Sequence, residues 1–111
     1  MNKATRTRLE AHGWQVGTAA EFLGLSPEEA AFVELRLSLA EALRTRRTAR
    51  RLTQAALAKR VGSSQSRVAK MEAGDPSVSI DLLLRSLLAL GATPREIGSS
   101  LTRRRKRRVA V

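Results

Sequence analysis

The segment between Leu52 and Gly74 constrains the fold more than any other part of this sequence. Counting from Gln54, Leu57 is followed at once by the small Ala58, then by Val61 and Gly62, then by Val68 and Met71. Apolar positions three and four apart mark one face of a helix, so two short helices are expected, divided at Gly62. Thr53 and Ser64 stand where a side-chain oxygen can accept from the free N–H groups of each first turn. Gly62 suits a turn that needs a left-handed backbone, a conformation costly for any residue with a Cβ. Ala58 lets the second helix cross the first at close range, and Val68 and Met71 lock that second helix from behind.

The rest of the chain is punctuated in the same way. Thr18-Ala19-Ala20-Glu21 is a capping-box pattern before Phe22-Leu23 and a Gly24 stop, which predicts a short helix of about two turns. Ser26-Pro27-Glu28-Glu29 is a stronger start, with a cap, a proline at the first helical position and acids at the positive end of the dipole. Phe32, Leu35, Leu39 and Leu43 follow at helical spacing, so one long helix is expected from Pro27 to about Arg47. That stripe reads most simply as core packing, with a dimer or partner face as the other reading. Ser79 opens a helix with Ile80, Leu83, Leu84, Leu87 and Leu88 on one side, closed by Gly91. Thr93-Pro94-Arg95-Glu96 opens a last short helix carrying Ile97 and Leu101.

Leu, Ala and Val must fill the core, because the 111 residues include only three aromatics, Trp14, Phe22 and Phe32. No run alternates with period two, and Leu and Ala favour helices, so the fold class is all-α. The expected organisation is an N-terminal helical extension over 1–38, a domain of about five helices over 39–101, and a basic tail over 102–111. Arg103, Arg104, Arg105, Lys106, Arg107 and Arg108 are consecutive, and like charges so dense are expected to keep the tail disordered without a counter-anion.

The net charge of +11 is unevenly spread: residues 1–38 sum to −1, residues 39–101 to +6 and residues 102–111 to +6. A basic body with a basic end suits a polyanion, whereas the front third does not share that bias. There is no cysteine, which excludes disulfides and thiolate chemistry and fits a reducing cytoplasm. His12 has no second ligand near it, so neither a metal nor another cofactor is expected. No apolar run approaches the roughly 20 residues of a membrane span. No nucleophile and base stand on a shared scaffold, so no enzymatic activity is expected.

Leu52-Thr53-Gln54, Leu57-Ala58, Val61-Gly62, Ser64-Gln65, Val68 and Glu72-Ala73-Gly74 together resemble the Xre/lambda-repressor-type helix-turn-helix domain, over roughly residues 40–101. The resemblance implies that the helix opening at Gln65 lies in the major groove of double-stranded DNA. It implies that Gln65, Ser66 and Lys70 face base edges, while Gln54, Ser64 and Arg67 face phosphates or brace the readers. It also implies that Arg47 pairs with Glu72, tying the preceding helix to the recognition helix. The chemistry agrees, since Gln can bond an adenine edge and Lys the guanine acceptors. The sequence departs from the family at two positions. Ala56 replaces the glutamate that would complete the cap at Thr53. Arg51 stands where glycine is common, and there it either adds a phosphate contact or strains the turn. The six cations of the tail suit additional phosphate contacts.

These features imply a transcriptional repressor that binds a pseudo-palindromic operator as a homodimer. The front segment, with Trp14 and Glu21-Phe22-Leu23-Gly24-Leu25-Ser26 leading by a helix into the domain, looks like HigA-type antitoxins. That resemblance implies a basic ribonuclease toxin as partner and repression of the protein's own operon. A stand-alone Xre-type regulator and an RNA- or protein-binding adaptor are the other readings of the same residues.

Overall fold

The computed structural model describes residues 23–109, with side chains through Thr102. Five helices follow one another: α1 Pro27–Ala49, α2 Gln54–Val61, α3 Gln65–Glu72, α4 Ile80–Ala89 and α5 Pro94–Val109. No strand occurs among the described residues, so the all-α expectation holds. Most of the short helix expected before Gly24, together with His12 and Trp14, lies outside the described residues.

Local chemistry sets the helix starts. Ser26 Oγ accepts from the Glu29 N–H (3.1 Å) while Glu29 Oε1 accepts from the Ser26 N–H (2.9 Å), a closed capping box. Thr93 and Glu96 form the same reciprocal pair at α5. Thr53, Ser64 and Ser79 each cap one helix with a hydroxyl. At α2 the residue that would reciprocate is Ala56, so only half of the box forms.

α1, α2, α3 and α4 pack around one core made of Leu39, Leu43, Leu57, Ala58, Val68, Met71, Val78, Leu83, Leu87, Leu90 and Ala92. Ile97 and Leu101 bring α5 onto its edge. The loop after α3 is fastened to α1. Gly74 comes so close that a Cβ there would lie 2.7 Å from Leu37 Cδ2. The Arg36 guanidinium donates to the carbonyls of Asp75 (3.3 Å) and Val78 and lies against the Phe32 ring. Arg36 is thus a cation inside an apolar stripe, buried because two carbonyls and a ring receive it.

Three expectations change. The stripe on α1 is only half core: Leu39 and Leu43 are buried, but Phe32 and Leu35 remain 49% and 42% exposed, since α1 begins before the body that it packs on. The boundary expected after residue 38 falls inside the continuous helix α1. The segment from Thr102 is not disordered but continues α5 to Val109. Arg and Lys are good helix formers, and extending a capped helix costs far less than starting one.

Candidate nucleic-acid interface

The turn between α2 and α3 closes on Gly62, at φ 69°. The Ser63 N–H reaches back to the Ala58 carbonyl (2.8 Å) and the Gly62 N–H to that of Lys59 (3.4 Å). This paired ending satisfies carbonyls that the helix itself leaves free. α1 ends in the same way, with the Leu52 N–H on the Arg47 carbonyl (3.1 Å) and the Arg51 N–H on that of Thr48 (3.0 Å). There the left-handed position belongs to Arg51, at φ 57°. Of the two readings of Arg51, backbone strain is therefore present, and its exposed side chain remains free to reach a phosphate.

α3 has two unlike faces. Val68 and Met71 are fully buried, in the core that they share with Leu57 and the small Ala58 of α2. Gln65, Ser66 and Lys70 are exposed. Helical periodicity puts these three on one side, together with Ala69, half-buried between them. Ala69 was not singled out by the sequence reading, although its place four residues after Gln65 was signal enough. A methyl at that position suits contact with a thymine methyl. Arg67 is also exposed but lies on the flank, where it lines a depression with Ser79, Asp81 and Arg85. Ser64 Oγ accepts from the Arg67 N–H (3.2 Å), which leaves its O–H able to donate outward.

Behind α3 the chain is tied to α1 by a charged junction. Arg47 Nε donates to Glu72 Oε2 (2.5 Å) and Nη2 to Oε1 (3.0 Å), a bidentate pair. Arg47 Nη1 donates to the Leu52 carbonyl (2.7 Å), and Gln54 Nε2 to Glu72 Oε1 (3.2 Å). The side chains of Arg47 and Glu72 are only 13% and 5% exposed. The hydrogen bonds to Glu72 raise the Arg47 pKa above its ordinary value. The structure thus brings Arg47, Glu72 and Gln54 together, and gives Gln54 a bracing position. Just beyond, hydrogen bonds from Ser77 hold the Asp75 carboxyl below its usual pKa and fix the loop that leaves α3.

A short helix presenting polar side chains outward, wedged from behind and preceded by a left-handed glycine turn, is the geometry that a family model described as the helix-turn-helix domain captures. That model matches residues 38–99, more than half of the chain. The chain belongs to the helix-turn-helix domain family. No curated protein and no solved structure matches it. A helix-turn-helix domain points to sequence-specific DNA binding and transcription regulation. The match begins within α1, so the first three turns of that helix precede the helix-turn-helix residues. Among the described residues no acidic or histidine cluster is able to hold a metal, and no helix is long and apolar enough to cross a membrane.

Proposed function

We propose that this helix-turn-helix protein is a cytoplasmic transcriptional repressor of the Xre/lambda type, binding an operator as a homodimer. The observation that carries this reading is the division of α3 into a buried Val68–Met71 face and an exposed Gln65, Ser66 and Lys70 face. With α3 in the major groove, those three side chains meet base edges. Ser64, Arg67 and Arg51 meet the sugar-phosphate backbone, and Gln54 braces the frame through Glu72. The cations over 103–108, at the end of α5, add contacts that fix no base identity. The deciding experiment is selection of bound sequences from random duplexes. A recovered two-fold-related motif supports the repressor, and recovery of unrelated sequences refutes base reading.

Within this reading the protein acts as the antitoxin of a pair, holding a basic ribonuclease toxin and repressing its own operon. The start of α1 favours this over a stand-alone regulator. Phe32, Val33 and Leu35 are exposed there, and Leu23 just before it, all ahead of the matched residues. Glu28, Glu29 and Glu34 stand among them, and α1 carries no cation before Arg36. An apolar, acidic surface suits a basic protein and repels DNA. Co-purification of the chain with the product of the neighbouring reading frame tests the pairing. Partner capture that persists in Phe32→Ser and Leu35→Ser places the contact elsewhere.

A further inference from the structure

We infer that Arg36 and Leu37, on the part of α1 that precedes the matched helix-turn-helix residues, are positioning residues for the Lys70 end of α3. The inference rests on the proposed reading of bases by α3. That helix has only eight residues, and the loop after it finishes its far end. The Asp75 N–H donates to the Lys70 carbonyl (3.0 Å) and the Gly74 N–H to that of Met71 (3.2 Å). These bonds take up carbonyls that the last turn leaves free. The place of Gly74 and Asp75 therefore sets where the last turn of α3 ends, and with it the backbone that carries Lys70.

Arg36 and Leu37 hold those loop residues from outside the matched domain. A Cβ on Gly74 would lie 2.7 Å from Leu37 Cδ2, so the leucine fills space that only a glycine leaves open. One Arg36 nitrogen, Nη1, donates to both the Asp75 carbonyl (3.3 Å) and the Val78 carbonyl. The Val78 N–H in turn donates to the Asp75 carbonyl (3.1 Å), so the guanidinium grips a closed turn at both ends. Arg36 is 8% exposed, and its guanidinium carbon stands 5.2 Å from the centre of the Phe32 ring. A cation drawn out of water in this way costs stability unless its bonds recover it, and these bonds go to the loop. Arg36 and Arg47 stand eleven residues apart, which is about three turns and returns to the same face of α1. Arg47 takes the last residue of α3, Glu72, and Arg36 takes the loop beyond it. The DNA-reading domain thus borrows one of its two holders from the extension in front of it.

The test uses the full chain, with affinities for the selected operator and for duplexes altered at each position, and amide hydrogen exchange without DNA. Lys70→Ala and Gln65→Ala first mark the base pair that each side chain reads. Arg36→Met keeps a long side chain but removes the donor, and should speed exchange at the Gly74 and Asp75 N–H groups. It should also lower preference at the Lys70 base pair about fivefold or more. Preference at the Gln65 base pair, read from the capped start of α3, should stay within about twofold of the parent. If Arg36→Met does not fold, Leu37→Ala, which removes no charge, should show the same pattern. Ile97→Ala thins the edge of the core at α5, away from the loop, and should lower stability while leaving both preferences as in the parent. Three results in whichever variant folds would overturn the inference: parent-like exchange at Gly74 and Asp75, faster exchange with an unchanged preference at the Lys70 base pair, or equal loss at both base pairs. If neither Lys70→Ala nor Gln65→Ala alters any preference, the base-reading proposal has failed first, and this inference falls with it whatever the exchange shows.

Discussion

α3 and the first three turns of α1 turn opposite sides to solvent. α3 buries Val68 and Met71 and exposes Gln65, Ser66, Arg67 and Lys70. The start of α1 exposes Phe32, Val33 and Leu35 among three glutamates. The first surface is polar and cationic, as a polyanion requires, and the second is apolar and acidic, as a protein partner requires. One chain therefore carries two exposed surfaces of opposite character, and in the proposed function each meets a different partner. The junction at Arg47, Glu72 and Gln54 fixes their relation, because it holds α3 to the far end of the helix that carries the apolar surface.

The largest expected effect lies at that junction. Glu72→Ala leaves the Arg47 guanidinium and the Gln54 amide without their acceptor in a nearly dry place, and should cost about 3–5 kcal/mol in urea unfolding. A loss below about 1 kcal/mol would show that water replaces the carboxylate, and would uncouple the two surfaces.

Next comes the end of α5. Each phosphate neutralised adds about −0.9 to the slope of log affinity against log salt, so six engaged cations would add about −5 and partial engagement about half of that. Truncation after Leu101 should flatten the slope and weaken operator and random duplex by similar factors. An unchanged slope would confine DNA contact to the neighbourhood of α3.

Smaller effects separate the surfaces further. Phe32→Ala should cost under about 1 kcal/mol of stability, since the ring is half exposed and loses mainly its contact with Arg36. Its expected effect is on protein partners and not on DNA, and a larger loss of stability would make Phe32 a structural residue. Arg51→Gly should raise stability by about 0.5–1 kcal/mol by relieving the left-handed backbone, partly offset by the greater freedom of glycine in the unfolded chain. If Arg51 contacts a phosphate, the same variant binds DNA more weakly while melting higher. Weaker DNA binding without higher stability would show that the left-handed turn holds no recoverable strain.

Much of this was legible in the sequence, for identifiable reasons. The helix starts could be read because each depends on a residue and the three that follow it: Ser26, Thr53, Ser64, Ser79 and Thr93 all cap. The turn at Gly62 was legible because few residues tolerate a left-handed backbone. The fate of Phe32 and Leu35 was not, because periodicity shows that a helix has an apolar face but not what covers it. The course of α5 past Thr102 was misread because repulsion among cations was weighed without the helix propensity of the same residues. Arg47 and Glu72 stand 25 positions apart, so spacing alone could not join them, and only the family resemblance did. Arg36 was overlooked, although a lone cation inside an apolar stripe asks for buried partners.

The central claim is that α3 reads bases, and Gln65→Ala tests it most directly. Gln65 is exposed in the first turn of α3, and its side chain takes no part in the Ser64 cap. Its removal should therefore leave the melting temperature unchanged. Affinity for the selected operator and for duplexes altered at each position should be measured for parent and variant at one salt concentration. The account predicts a loss of about 1–3 kcal/mol on the operator, with preference relaxed at one base pair per half-site and unchanged elsewhere. Equal affinities of parent and variant for operator and for scrambled duplex would contradict it.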